Sequence, residues 1–138
     1  AVLRADEPGY NKLHLGPDSA PHLDPTKLCA CGCPGVFSSP VMGPLMVYIF
    51  DQMMRLDHPA FEAFTVTNGA RFYGIEPSDD TFELEYVGDD GWEIPSSYGG
   101  ITPIMAGKKL PWKPTIPEAL RPELLIPEDA RDPADRMD

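Results

Sequence analysis

One run of the sequence is long enough to form a helix of several turns. The chain has 138 residues, and its 17 prolines and 12 glycines divide most of it into short pieces but leave residues 44–57 nearly intact. Apolar side chains recur along this run at the spacing of one helix face. That face consists of Leu45, Ile49, Met53 and Leu56, widened by Met46, Phe50 and Met54. Because Pro44 suits a first helical turn, the run predicts a largely buried central helix.

The residues after the helix change to the alternating pattern of strands. Asn68-Gly69 lies between two runs rich in β-branched and aromatic residues, which favours a hairpin with a two-residue turn. Residues 81–87 alternate as in a half-buried strand, and residues 92–94 return after a glycine-bounded turn. The apolar face of the first of these strands consists of Phe82, Leu84 and Tyr86. We therefore expect an α+β fold with one central helix packed on a small antiparallel β-meander.

Proline content divides the chain into three segments. Residues 1–43 form a long, proline-rich, extended N-terminal arm that carries a cysteine cluster, and residues 44–98 form the compact helix and meander. Residues 99–138 form a second extended arm, which is proline-rich and acidic. A compact unit of this size is marginally stable alone. We expect the arms either to wrap it or to bind a protein partner or a second copy of the chain.

Three cysteines lie close together at Cys29, Cys31 and Cys33. In a straight strand their thiols would stand about 6.6 Å apart, too far to share one metal ion. The intervening glycine and the following proline allow the chain to curl, and His22 could then complete a Cys3His site for zinc or another thiophilic metal. His14 is an alternative fourth ligand. The competing interpretations are three reduced cysteines in a tight turn, or a redox or disulfide role.

The charge and the apolar runs exclude several classes of partner. A formal net charge of −11 disfavours nucleic-acid backbones and anionic lipid. The most apolar run, residues 41–50, has about half of the ~20 residues that a membrane span needs. Three clustered cysteines do not form a secreted disulfide framework, so we expect a cytoplasmic protein. A signal peptide removed before residue 1 is the alternative.

Two functional hypotheses follow. Paired acidic residues such as Asp79-Asp80 are explained by turns, and no phosphate-binding loop or calcium loop is present in the sequence. The first hypothesis is therefore a non-catalytic accessory or structural subunit of a larger assembly, either a multisubunit enzyme or a virion shell, which docks through its arms. The second is a metal-binding protein whose Cys-x-Cys-x-Cys site has a structural or redox purpose.

Overall fold

Short helices and loops make up the first half of the chain, and short strands follow. A computed structural model describes residues 1–30, 32–53, 57–79, 81–88 and 90–115. The helices are α1 (Asp24–Lys27), α2 (Ser39–Gln52), α3 (Pro59–Glu62) and α4 (Asn68–Tyr73), with a 3-10 turn at Val2–Arg4 and a π-helical turn at Ala63–Thr67. The strands are β1 (Glu83–Tyr86), β2 (Trp92–Glu93), β3 (Lys109–Leu110) and β4 (Trp112–Thr115). In these ranges, no helix has both the length and the apolar character to cross a membrane.

The central helix forms, but it starts five residues earlier than the sequence predicted. Helix α2 begins at Ser39 with Pro40 in its first turn, so Pro44 lies inside it. Proline normally clashes with the Cβ of the preceding residue, and Gly43 has no Cβ, which lowers the cost of continuing the helix. The same glycine lets the Phe82 ring approach, since a Cβ there would lie 2.8 Å from the ring. The predicted start at Pro44 is therefore wrong.

The hairpin predicted at Asn68-Gly69 does not form. These two residues begin helix α4, and the residues before them continue the helical path through the π-helical turn. The turn to non-helical backbone comes later, at Gly74, which adopts a left-handed φ of 66°. The prediction failed because the Asn68 side chain is 2% exposed and bonds to distant backbone, which favours helical over turn geometry at this position.

The strands pair across long stretches of sequence instead of forming a meander. Strand β1 pairs antiparallel with β4, and β2 pairs antiparallel with β3, giving two sheets of two strands among the described residues. Strands β3 and β4 come from the segment predicted to be the C-terminal arm. The three-segment division itself stays a prediction, because residues 116–138 lie outside the described ranges.

The predicted buried face of the first strand is also wrong. Phe82 and Tyr86 are 56% and 58% exposed, and in β1 only Leu84 is half-buried. Strand β1 pairs with β4 alone among the described strands, and the ring of Tyr86 packs edge-on against Trp112 of that strand, so Tyr86 contacts its pairing partner and stays largely exposed.

Two small cores hold the described structure together. One joins α2 to the sheet formed by β2 and β3 through the fully buried side chains of Val41, Ile94 and Leu110. The other packs the N-terminal turn on the helices after α2 through Ala5, Ala60 and Ala63. Helices and antiparallel strands are both present, and the α+β class for the whole protein stays a prediction.

Candidate functional site

The loop between the N-terminal turns and α2 folds back on itself. Ser19 and Val36 form a parallel bridge, and the Ala20 N–H donates to the Val36 carbonyl at 2.9 Å. The Ser19 hydroxyl oxygen accepts from the N–H groups of Ser38 and Ser39, each at 3.1 Å. Because the first N–H groups of a helix have no partner inside it, this distant serine caps α2 and explains why the helix begins at Ser39.

Asp18 stands in a strained conformation immediately before this cap. Its φ is +44°, and Met105 is the only other non-glycine residue of the described chain with a positive φ. A left-handed φ costs energy for most residues and is tolerated best by Asp and Asn. Such strain concentrates where a side chain must be held in a set direction. The Asp18 carboxylate is exposed, and Ser19 anchors the backbone next to it.

Lys27 holds the far side of the same loop. Its Nζ donates to the Cys33 carbonyl at 2.7 Å and to the Gly35 carbonyl. Hydrogen bonds from an ammonium group are stronger than neutral ones, so they fix the turn that carries Cys33.

Asp24, at the start of α1, makes the connection to the second half of the chain. Its two carboxylate oxygens accept from the Thr102 N–H at 3.0 Å and the Thr102 hydroxyl at 2.9 Å.

These contacts enclose a cavity of about 250 Å³. Its polar lining comes from the side chains of His22, Asp24, Lys27 and Thr102, and its apolar wall includes Phe37. The Phe37 ring packs edge-on against that of Tyr98 at 6.0 Å between centroids, and burial raises the pKa of the Tyr98 hydroxyl above its usual range. An apolar wall with a few converging polar groups is typical of a small-molecule site.

The predicted metal ligands have different surroundings. His22 lines the cavity, Cys33 is a half-buried thiol in the turn held by Lys27, and the exposed Cys29 thiol donates to the Thr26 carbonyl at 3.1 Å. Cys31 lies outside the described residues, so the four-ligand site stays a prediction. Across the ranges that are described, no three His, Cys, Asp or Glu side chains come close enough to hold a metal ion. The alternative ligand His14 instead packs against aromatic rings.

Sequence reasoning named one residue of this site and missed three. His22 was a candidate, whereas Asp18, Asp24 and Lys27 were not. No periodicity marks them, because their roles depend on a backbone angle or on partners elsewhere in the chain. The one local signal was the position of Asp18 directly after Gly16-Pro17, where a turn is expected.

Gly35 allows the two sides of the loop to meet, and we expect Gly35→Ala to destabilise the protein. Its φ is +106°, and an added Cβ would overlap the Cβ of Ala20. The free energy of unfolding should fall by about 2 kcal/mol in urea denaturation, from backbone strain together with overpacking. Gly16→Ala is the matched control, since a Cβ at Gly16 meets nothing within 4 Å and no positive φ applies. Equal stability of the two variants would contradict the packing of this loop.

We expect Lys27→Met to increase the reactivity of Cys33. Without the ammonium group, the carbonyls of Cys33 and Gly35 lose their donor and the turn opens to solvent. The Cys33 thiol should then react several-fold faster with an aromatic disulfide reagent, followed residue by residue with mass spectrometry. Lys12→Met, at an exposed position, is the control and should leave the rate unchanged. An unchanged rate in Lys27→Met would mean that the turn holds without this lysine.

Sequence comparison relates the chain to one enzyme. No family model matches it. It is 39% identical over 113 residues to the dihydroorotase of Serratia marcescens, covering 81% of this chain and 54% of that protein. It is 36% identical over 118 residues to the mitochondrial dihydroorotase of Arabidopsis thaliana, covering 83% of this chain and 30% of that protein. The chain therefore spans about a third to a half of the length of these relatives.

Solved structures give the same relation. The dihydroorotase of Saccharomyces cerevisiae in complex with 5-fluoroorotic acid matches with a TM-score of 0.64 and 28% identity, over 82% of this chain and 32% of that one. The dihydroorotase of Campylobacter jejuni matches with a TM-score of 0.60 and 27% identity, over 83% of this chain and 33% of that one.

These similarities overturn both functional hypotheses drawn from the sequence. The relatives are enzymes, so the hypothesis of a non-catalytic accessory or structural subunit is wrong. The alternative, in which a Cys-x-Cys-x-Cys metal site was the purpose of the protein, is wrong for the same reason. Both hypotheses failed because they rested on composition and on one short motif.

Proposed function

We propose that this chain forms part of a dihydroorotase, which acts on the cyclic amide of dihydroorotate in pyrimidine biosynthesis. The observation that carries the proposal is the 39% identity over 113 residues to a protein of that name. The structural match to two solved dihydroorotases supports it, since both cover more than four fifths of this chain. The chain alone spans a part of such an enzyme.

The candidate site offers groups suited to this chemistry. Hydrolysis of a cyclic amide needs a general base to take a proton from water as it attacks the carbonyl carbon. Asp18 is the residue proposed for this role, because its carboxylate is exposed and its backbone is held in a strained, anchored conformation. It lies two residues before Ala20, which lines the cavity.

The substrate also needs a partner for its carboxylate. His22 lines the cavity and is half-buried, so its imidazole is proposed to donate a hydrogen bond to that group. Lys27 is proposed to act indirectly, since its ammonium group is engaged by two backbone carbonyls and fixes the turn beside the cavity. The bound 5-fluoroorotic acid of the yeast enzyme is a carboxylate of similar shape.

Zinc is proposed as the cofactor of the complete enzyme. A zinc ion polarises a carbonyl and lowers the pKa of bound water. The described residues do not fit such an ion by themselves, since they bring no three suitable ligands together. Further ligands from other residues would therefore be needed to complete such a site, and Asp18 and His22 are assigned their roles without reference to the metal.

The other properties expected from the sequence are carried forward as proposals. A cytoplasmic location fits the clustered cysteines, although the Arabidopsis relative is a mitochondrial protein. A protein partner or a second copy is proposed to bind through the proline-rich arms, of which residues 116–138 are outside the described ranges. The α+β class is proposed for the part of the enzyme that this chain supplies.

Exchange of the matched segment tests the proposed activity. The Serratia proteamaculans dihydroorotase is 39% identical to this chain over 113 residues, which are 32% of that enzyme. Replacing its matched segment with the corresponding residues of this chain gives a chimera, which we expect to convert dihydroorotate. The intact enzyme is the positive control. A chimera that folds and binds zinc but shows no conversion would contradict the proposal.

A further inference from the structure

Residues 98–101 form a tight hairpin next to the cavity. Tyr98 and Ile101 exchange two backbone hydrogen bonds, at 3.0 and 3.2 Å, and the two glycines between them, Gly99 and Gly100, have φ values of +57° and +82°. A two-residue turn of this kind needs a positive φ at both central positions, which glycine adopts without steric cost. We refer to these four residues as the glycine hairpin.

The glycine hairpin is attached to the apolar wall of the cavity through Phe37. The ring of Tyr98 packs on that of Phe37, and the N–H of Ile104, three residues after the hairpin, donates to the Phe37 carbonyl at 2.8 Å. Ile101 and the next residue, Thr102, line the same cavity as His22. Because these attachments do not involve helix α1, the hairpin is a support to which α1 can be bound.

Asp24, the first residue of α1, makes three hydrogen bonds to this support. Its N–H donates to the Gly100 carbonyl at 2.9 Å, and its two carboxylate oxygens accept from the N–H and the hydroxyl of Thr102 at 3.0 and 2.9 Å. Hydrogen bonds to a charged group are stronger than neutral ones, and two parallel bonds also fix an orientation. We refer to these three bonds as the Asp24 clamp.

The Asp24 clamp determines where His22 lies. Helix α1 has four residues, which are too few for a helix to be stable by itself. Leu23, between His22 and Asp24, caps this helix with a side chain that is 53% exposed, so apolar packing contributes little to fixing this part of the chain. The backbone of His22 is therefore held from its C-terminal side through Asp24.

The Asp24 carboxylate is itself poorly suited to binding the substrate. It lines the cavity, but both of its oxygens already accept hydrogen bonds from Thr102, and a carboxylate repels the carboxylate of dihydroorotate. We propose that Asp24 is a positioning residue for substrate binding: by joining α1 to the glycine hairpin, it holds the His22 imidazole where it binds the substrate carboxylate. This proposal rests on the proposed function.

Asp24→Ala and Thr102→Val, placed in the chimera with the Serratia proteamaculans enzyme, test the proposal. The first removes both acceptors, and the second removes the hydroxyl donor with almost no change in size. We expect KM for dihydroorotate to rise about 10-fold in Asp24→Ala and about 3-fold in Thr102→Val, with kcat nearly unchanged, because the lost interaction is one of substrate binding. A KM of Asp24→Ala equal to that of the parent chimera overturns the proposal.

Thr26→Val is the matched control within the same helix. It removes the hydrogen bond from the Thr26 hydroxyl to the Leu23 carbonyl at 2.7 Å and leaves the Asp24 clamp intact, so KM should stay at the parent value. If Thr26→Val raises KM as much as Asp24→Ala does, any disturbance of α1 has this effect and the proposal is wrong. Should Asp24→Ala fail to fold, Thr102→Val takes its place in each comparison.

A double-variant comparison separates positioning of His22 from a general loss of structure. When His22→Gln is already present, Asp24→Ala should raise KM less than about twofold further, since the group that it positions is gone. If Asp24→Ala raises KM equally in the presence and absence of His22→Gln, its effect does not pass through His22 and the proposal is overturned.

The backbone order of His22, measured by NMR relaxation in the full 138-residue chain, gives a result that does not depend on activity. We expect an order parameter of about 0.85 in the parent and in Thr26→Val, and below about 0.6 in Asp24→Ala. Equal order in the parent and in Asp24→Ala overturns the proposal even if the chimera is active. An inactive parent chimera overturns the enzyme assignment, and a loss of His22 order in Asp24→Ala then still supports the positioning of His22 by Asp24.

Discussion

The Asn68→Ala protein is expected to unfold with a free energy about 3 kcal/mol lower than that of the parent chain. Asn68 is 2% exposed, and its Nδ2 donates to the carbonyls of Ala5 at 2.9 Å and Leu13 at 3.0 Å. Its Oδ1 accepts from the guanidinium of Arg71 at 3.1 Å. Alanine would leave two carbonyls without this donor, and unpaired buried polar groups cost about 1–3 kcal/mol each. Urea denaturation, followed by circular dichroism, measures the difference.

Two control variants sharpen this prediction. Asn11→Ala removes an exposed asparagine and should change the free energy of unfolding by less than about 0.5 kcal/mol. Asn68→Asp keeps the size of the side chain but replaces the donor with a carboxylate that faces carbonyl oxygens, so it should destabilise at least as much as alanine. If Asn68→Ala is as stable as Asn11→Ala, the N-terminal segment is held by other contacts.

Asn68 also shows which structural features a local sequence pattern cannot predict. The dipeptide Asn68-Gly69 is a strong local signal for a hairpin, and in this chain it begins a helix. The partners of the Asn68 side chain lie 63 and 55 residues away along the sequence. A local propensity is worth about 1 kcal/mol, so one buried and one partly buried hydrogen bond together outweigh it. No window of sequence around residue 68 contains that information.

For the strands and the central helix as well, the features that depend on local sequence could be predicted and the contacts between distant residues could not. The alternation in residues 81–87 and the return at Trp92 correctly placed β1 and β2, because alternation of apolar and polar residues along a strand is a local signature. Their partners β4 and β3 could not be deduced, since pairing depends on contacts across the chain. The central helix was found from its apolar run, but its start at Ser39 depends on the hydroxyl of Ser19, twenty residues earlier.

The candidate site could be predicted only where a residue type suggested its chemistry. His22 was named because imidazole is a common ligand, and it does line the cavity. Asp18 was missed because its signal is a φ of +44°, which the surrounding loop imposes and a sequence pattern does not reveal. The cysteines drew attention as a motif, whereas the geometry around them is set by Lys27 through backbone carbonyls.

The largest expected effect on activity comes from Asp18→Asn in the chimera that tests the proposed function. If the Asp18 carboxylate takes the proton from the attacking water, its loss should lower kcat by about 10²–10⁴-fold, the usual contribution of a general base. Asparagine is nearly the same size and tolerates a left-handed φ as well as aspartate does, so the strained backbone at Asp18 is preserved. The melting temperature should therefore stay unchanged, because the side chain is exposed.

Comparison of three variants separates a catalytic role of Asp18 from a structural one. Asp18→Asn should affect kcat far more than KM, since the amide can still hold the loop but cannot accept the proton. His22→Gln should act mainly on KM, because His22 is proposed to bind the substrate carboxylate without taking part in proton transfer. Asp6→Asn, an exposed carboxylate of the N-terminal turns, is the control and should leave both constants unchanged. If Asp18→Asn keeps more than about a tenth of the rate, less than the usual contribution of a general base is lost, and the base of this enzyme is a different group.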